Sequence, residues 1–276
     1  AFLNAAAVQM ALGGSTNVSV HMIAMARRAG VELELADLDA MARRVPVIAN
    51  LFPSGDRLME DFHYAGGLPA LMNVIRAHLS LDEITVTGEP LRAQLDGRAV
   101  LDPQVILAPD HPVSPRPALA VLRGNLAPEG AVIKPSAASP ELMRHRGRAI
   151  VFDSPPEMNA ALSDPAFDCD ETCVIVLRNA GPVGGPGMPE WGNLPIPRKL
   201  LQRGVRDLVR ISDARMSGTH YGTCVLHVSP ESAVGGMAQE DVRVDRDRHP
   251  RAPRAKAEVE VVEMETVEGF LVEADA

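Results

Sequence analysis

Thr172-Cys173-Val174-Ile175-Val176-Leu177 is a short apolar run that gives way at once to Asn179-Ala180-Gly181-Pro182-Val183-Gly184-Gly185-Pro186-Gly187-Met188-Pro189-Glu190. A run of β-branched residues bounded by turn formers reads as a strand. The segment behind it, with glycine at 181, 184, 185 and 187 and proline at 182, 186 and 189, predicts a loop of fixed and unusual shape. Such a shape is costly unless something must be approached closely. The loop lacks the Lys-Ser/Thr ending of a phosphate-binding P-loop and the GxGxxG order of a dinucleotide fold, so neither nucleotide reading holds. Glu190 at its end suits a hard cation such as Mg²⁺, which takes oxygen ligands. One carboxylate is no metal site, so further ligands must come from elsewhere.

Outward from this stretch, similar short runs lie at 118–122, 131–134, 149–152, 208–211 and 223–228, with short helices predicted at 156–162 and 198–202. Many short strands with few helices argue for a closed or sandwiched β domain, and the pattern alone leaves parallel pairing open. The first part of the chain has a different period. Ala5, Val8, Met10 and Leu12 lead to a Gly13-Gly14 break, and Val18, Met22, Met25 and Ala26 recur at helical spacing up to Gly30. Further helices are expected over 38–44 and 68–79, the latter with Pro69 in its first turn. Prolines 90, 103, 109, 112, 115 and 117 mark 81–117 as a strand-poor connector, and the domain boundary is placed there.

Composition narrows the function. The 276 residues carry 27 Lys+Arg against 36 Asp+Glu, a net charge of −9, with 46% apolar and 3% aromatic residues. An acidic chain with so few rings has neither a basic face for phosphates nor platforms for bases, so nucleic acid is excluded as a partner. No stretch of 18 apolar residues occurs, which argues against a membrane span and for a cytosolic protein. Cys169, Cys173 and Cys224 match neither a disulfide framework nor paired zinc knuckles, so reduced thiols are expected. The tail reads as a solvated, partly disordered end: six basic residues from Arg243 to Lys256 are followed by seven acidic ones from Glu258 onward.

Two further segments can carry chemistry. Gly13-Gly14-Ser15-Thr16-Asn17 precedes a helix, and capping there predicts free N–H groups facing a carboxylate or phosphate; the plain alternative is a capped helix break. His21 lies one turn on, where a lone histidine is more often structural. Ser212-Asp213-Ala214-Arg215-Met216-Ser217-Gly218-Thr219 follows another strand-like run. Its Ser217 lacks the GxSxG elbow because Arg215 takes the first glycine's place, which weakens a serine-hydrolase reading. The plain alternative is an Asp213–Arg215 turn pair with serine caps. His227 reads as a core or edge residue.

In chain order, Gly13 to Asn17, Asp61 with Gly66-Gly67-Leu68-Pro69-Ala70, Gly124-Asn125-Leu126-Ala127-Pro128, Gly181 to Glu190, Ser212 to Thr219 and Pro230-Glu231 closely resemble the dihydroxy-acid and phosphogluconate dehydratase family. The resemblance runs from about Phe2 to Gly236. Lys134-Pro135-Ser136-Ala137, Met143 to Gly147 and Gly218-Thr219-His220-Tyr221-Gly222-Thr223 look more like its sugar-acid branch than its branched-chain branch. It implies an α/β plus β architecture: residues 1–95 as the helical end of an α/β domain, 96–236 as a β-barrel-like domain with short helices, and 237–276 as a divergent tail lacking the family's strand pair.

The reaction implied is β-elimination of water from a 2,3-dihydroxy carboxylate, giving an enol that tautomerises to a 2-keto-3-deoxy acid. In the family a [2Fe–2S] or [4Fe–4S] iron–sulfur cluster polarises the leaving hydroxyl and Mg²⁺ holds the carboxylate end. The matching residues here are Ser217 as the alkoxide base with Thr219 beside it, Glu190 as a Mg²⁺ ligand, and Ser15, Thr16 and Asn17 near the substrate. Serine is far too weak a base at neutral pH unless nearby cations lower its pKa. The cluster cysteines and remaining Mg²⁺ ligands belong to an N-terminal portion not matched here, and Cys169, Cys173 and Cys224 do not stand in their places. The expectation is therefore a fragment, inactive alone, of an enzyme that acts on a small sugar acid and forms homo-oligomers. A branched-chain dihydroxy-acid dehydratase, or a non-catalytic remnant or subunit needing a separate N-terminal half, are the alternatives.

Overall fold

The computed structural model describes residues 1–186, 189–191, 194–216, 221–237, 254–261 and 270–271. They divide into two compact units, Ala1–Leu119 and Ala120–Ala276.

The first unit is helical. α1 (Phe2–Leu12) buries Ala6, Ala7, Met10 and Ala11, small residues that let neighbouring helices approach closely. α2 (Asn17–Arg28) buries Met22 and Ala26, and α3 (Leu35–Arg44) buries Leu38, Met41 and Ala42 at the i, i+3, i+4 spacing of one helical face. The Asp37 carboxylate accepts from the Glu34 N–H at 2.8 Å and sets the start of α3. α4 (Met59–Tyr64) starts the same way, with Asp61 accepting from the Leu58 N–H at 2.9 Å. α5 (Gly67–Val74) ends before the predicted stop at 79; a 3₁₀ turn, Arg76–His78, follows it. α6 is Leu91–Leu95. Helices α4 and α6 are a turn or so long, too short to register as an apolar period.

Residues 96–119, in the proline-rich connector, pair with the first unit. Asn50 N–H donates to Val105 O, Leu107 N–H to Ile48 O and Val113 N–H to Val47 O, each at 2.8 Å. The proline-rich segment is therefore strapped along residues 47–51 and is part of the first compact unit. Prolines prevented a continuous ladder, leaving isolated bridges at Val47↔Ser114 and Ala49↔Ile106.

The second unit is built on a mixed sheet of six strands: β1 (Ala120–Gly124), β2 (Ala127–Ile133), β3 (His145–Phe152), β4 (Val174–Leu177), β5 (Arg210–Ser212) and β6 (Cys224–Ser229). β3, β4, β5 and β6 are parallel neighbours in that order, while β2 lies antiparallel to β6 and β1 antiparallel to β2. α7 (Pro155–Ser163) connects β3 to β4, and α8 (Arg198–Gln202) lies between β4 and β5. Both faces of the parallel part are covered. Ala149, Val151, Val174, Val176 and Ile211 enter one apolar cluster, and Ile150, Phe152, Ile175 and Leu177 enter another with Met158 and Leu162 of α7 and Leu200 of α8. Burial on both sides explains why these strands read as unbroken apolar runs.

The tail corrects the sequence reading. Arg254–Val261 forms β7 and Phe270–Leu271 forms β8; β7 runs antiparallel to β3 with Arg146↔Glu260 and Arg148↔Glu258 in register, and β8 runs antiparallel to β7. A strand pair thus stands in a segment read from its charge as a solvated, partly disordered end. The segment's charge masks its pattern, since Arg254-Ala255-Lys256-Ala257-Glu258-Val259-Glu260-Val261 alternates polar and apolar residues with the period of a strand. Hydrogen-bonded neighbours then run β1-β2-β6-β5-β4-β3-β7-β8 and return to β1 through the single pair Gly124↔Phe270. Among the described residues no helix is long and apolar enough to cross a membrane.

Candidate functional site

Parallel strands bring their carboxyl ends to one edge, where ligands of such sheets commonly bind. At that edge of the second unit stand Asp153 after β3, residues 178–184 after β4, Asp213 after β5 and residues 230–232 after β6. Asp153 pairs with Arg178, whose Nε lies 2.9 Å from its Oδ1. Asp213, 3% exposed, accepts from the Ala180 N–H at 3.0 Å and from the Ser232 N–H at 2.8 Å, so one carboxylate joins the loops after β4 and β6. Glu231 accepts from the Val183 N–H through both carboxylate oxygens, at 2.8 and 3.1 Å.

These bonds explain the glycines. A Cβ at Gly181 would stand 2.0 Å from Glu231 Oε2, and one at Gly184 would stand 2.6 Å from the Asn179 carbonyl oxygen. Asn179 itself adopts φ 58°, a left-handed conformation that asparagine tolerates better than most residues. The loop is thus held at its root by its neighbours' carboxylates, and Glu190 is exposed at its far end.

Ser217 and Thr219 lie outside the described residues, but both flanks of 217–220 are described. On the leading side, Ser212 Oγ donates to Leu177 O at 2.9 Å and accepts from the Ala214 N–H at 3.0 Å, and Met216 is buried. On the trailing side, buried Asp207 accepts from Thr223 Oγ1 at 2.7 Å and from Arg210 Nη2 at 2.9 Å, and Asp207 Oδ1 and Oδ2 each lie 2.9 Å from the Thr223 N–H. Gly222, at φ 120°, donates its N–H to Ala137 O at 2.9 Å; a Cβ there would meet Arg210 at 2.0 Å. His227 of β6 also has a positive φ, 56°, and donates its N–H to Ala214 O at 3.2 Å, bracing the start of the same crossover.

In the first unit, Gly13 closes α1 in the left-handed region, with its N–H on Met10 O and the Gly14 N–H on Gln9 O, each at 3.0 Å. The free N–H groups expected at the start of α2 are not found at its first three residues. Asn17 N–H donates to Ser15 Oγ at 3.2 Å, Val18 N–H to Ser15 O and Ser19 N–H to Thr16 O, both at 3.1 Å. A tight first turn satisfies these donors internally and removes the backbone anion cradle. Thr16 and Asn17 are buried, Ser15 is half-buried and His21 is exposed.

The positioning roles of Asp207, Arg210, Asp213 and Glu231 leave little trace in the sequence, because their partners are mostly backbone N–H or C=O groups remote in the chain. The only local signal was Asp213 directly after a strand. Among the described residues no three of His, Cys, Asp and Glu stand together as a metal-holding group, and the three cysteines are free and buried. The described donor set therefore does not fit a complete iron–sulfur or Mg²⁺ site.

The order of these segments is matched by two family models, dihydroxy-acid/6-phosphogluconate dehydratase N-terminal over residues 1–94 and C-terminal over residues 104–245. The chain belongs to the dihydroxy-acid/6-phosphogluconate dehydratase family. Within that family it is 56% identical over 84% of its length to 6-deoxy-6-sulfo-D-gluconate dehydratase of Pseudomonas putida, covering 41% of that protein. It is 50% identical over 86% of its length to L-arabinonate dehydratase of Rhizobium leguminosarum bv. trifolii, again covering 41%. A dihydroxy-acid dehydratase of Moorella thermoacetica is 45% identical over 86% of the chain, which covers 43% of it. The chain thus spans under half the length of these relatives.

Proposed function

We propose that this chain is part of a hydro-lyase that removes water from a sugar acid, a 2,3-dihydroxy carboxylate, to give a 2-keto-3-deoxy acid. The observation that carries the reading is the 56% identity, over 84% of the chain, to 6-deoxy-6-sulfo-D-gluconate dehydratase of Pseudomonas putida. In this reading Ser217 takes the C2 proton as an alkoxide and Thr219 lies beside it. Asp213 and Asp207 hold the described residues on either side of 217–220, through Ala180, Ser232 and Thr223. The C3 hydroxyl leaves, and the enol formed tautomerises to the ketone. Glu190 is the residue of this chain assigned to Mg²⁺, and Ser15, Thr16 and Asn17 are assigned to the substrate through their side chains. An iron–sulfur cluster, with all its ligands from outside this chain, and Mg²⁺, with its ligands besides Glu190 from outside it, would supply Lewis acidity and charge when bound. The ring of strand pairings supports a barrel-like second domain, and a homo-oligomer is proposed for the complete enzyme.

The test is anaerobic co-expression of the chain with the part of the Pseudomonas putida relative that precedes the matched region, followed by iron and sulfide determination. Keto-acid formation from arabinonate, xylonate, galactonate and 6-deoxy-6-sulfogluconate is then assayed with Mg²⁺. Turnover of a sugar acid that is lost in Ser217→Ala is expected. Turnover undiminished in that variant would overturn Ser217 as base, and no turnover by a cluster-loaded assembly would overturn the dehydratase reading.

A further inference from the structure

The amino end of β4 carries a second cluster, separated from the carboxyl-edge residues by the strand itself, about 13 Å for four residues at roughly 3.3 Å each. Cys173 immediately precedes β4, and its sulfur and that of Cys169 both lie against Asp170. The Asp170 N–H donates to Cys173 Sγ at 3.4 Å, and Arg148 Nη2 lies 3.7 Å from the same sulfur. Arg148 is held there by Asp168, through the carbonyl oxygen at 2.8 Å and the carboxylate at 3.1 Å. Asp170 Oδ1 lies 3.6 Å from Cys173 Sγ and is already engaged by Thr172, at 2.6 Å from the hydroxyl and 2.9 Å from the N–H. Cys169 Sγ lies 3.5 Å from the Asp170 carbonyl oxygen.

The asymmetry of the pair is its informative feature. The Cys169 thiol, the Asp170 N–H and the Arg148 guanidinium all favour a negative sulfur at Cys173, lowering its pKa to about 7 against the opposing effects of burial and the Asp170 carboxylate. The neighbouring Cys173 sulfur, and then desolvation, push the Cys169 thiol up. A thiolate and a neighbouring thiol, both against Asp170, can serve as the nucleophile and resolving group of a dithiol oxidation. Both cysteines are buried, but the cover is slight, since Asp168, Asp170, Glu171 and Thr172 are all exposed. Cys224, by contrast, lies in β6 with its thiol raised by burial.

We propose that Cys169 and Cys173 form a reversible oxidation site, which a hydroperoxide converts into an intramolecular disulfide. The Cys173 thiolate attacks one peroxide oxygen, the O–O bond breaks, and the departing alkoxide or hydroxide takes up a proton, leaving Cys173 as a sulfenic acid. Cys169 sulfur then displaces hydroxide from Cys173 sulfur, which leaves as water with the Cys169 proton. Two thiols lose two electrons to one peroxide, and the products are one disulfide, one alcohol or water from the peroxide, and one further water.

The full chain, reduced and then exposed to hydrogen peroxide, is alkylated and mapped by peptide mass. The expected result is a Cys169–Cys173 linkage with a mass loss of about 2 Da, reversed by dithiothreitol, while Cys224 is alkylated only after denaturation. In Cys169→Ser a dimedone adduct is expected at Cys173, and in Cys173→Ser none at Cys169. Oxidation of Cys224 as fast as the pair, Cys173 running on to sulfinic acid without a linkage, or no modification of the folded wild-type chain would each overturn the proposal.

Discussion

Asp213 Oδ1 accepts the Ala180 N–H at 3.0 Å while its second oxygen accepts the Ser232 N–H at 2.8 Å, so a carboxylate on one strand end fixes the loops that leave two others. Asp213→Ala leaves both backbone donors without this acceptor in a buried place. Each unsatisfied donor costs about 1–3 kcal/mol, so a loss of roughly 2–5 kcal/mol is expected by urea denaturation. Amide exchange at 180 and 232 should accelerate in the same variant. Unchanged protection there would remove Asp213 as the tie.

Gly181→Ala is expected to destabilise through a named neighbour. Its Cβ would fall 2.0 Å from Glu231 Oε2 and 2.9 Å from Glu231 Cβ. Moving Glu231 aside also releases the Val183 N–H. In a double-mutant cycle, Gly181→Ala with Glu231→Ala should therefore lose less than the sum of the two single changes, by about 1 kcal/mol or more. Simple additivity would show that the clash is relieved elsewhere.

Much of this architecture was legible where the sequence has a strong local period. The apolar run at 172–177 contains β4, that at 223–228 covers all of β6 but its last residue, and the spacing through Met22 and Ala26 marks α2. The reading failed where a long-range relation decides. Residues 105–114 show no strand pattern, yet their backbone finds residues 47–51. The tail's charge concealed its alternation, and β3 supplied the partner that makes β7 a strand. At the site, the Gly-rich loop was visible as composition, but Glu231 against Gly181 joins residues fifty apart and leaves no local signature.

Asp207 and Arg210 make a buried ion pair at 2.9 Å, with side chains 4% and 5% exposed. Asp207 also receives bonds from Ser139, Leu208 and Thr223, so little of its acceptor capacity is left over. Removing one member of a buried pair strands the other charge and typically costs about 3–5 kcal/mol. Asp207→Ala is expected to lose that much by calorimetry or denaturant titration. Arg210→Lys should also destabilise, because a lysine cannot reproduce the contacts to Leu194 O and Tyr221 O along with Asp207. A fully stable Arg210→Lys would show that charge alone suffices.

Lys134, buried at the end of β2, gives the fold a pH dependence of predictable sign. Burial lowers its pKa from 10.5 to about 8. Between those values the unfolded chain holds a proton at this residue that the folded chain has released, so Lys134 adds stability as pH rises through that window. The slope is at most about 1.4 kcal/mol per pH unit. Cys224, raised by burial, acts in the opposite direction in the alkaline range. The wild type must therefore be compared with Lys134→Met, which keeps Cys224 and removes only the amine. The stability of wild type relative to the variant should improve steadily from pH 8 to pH 10. A difference flat across that range would mean that the amine is charged in the folded protein and that a counter-charge, rather than desolvation, governs it.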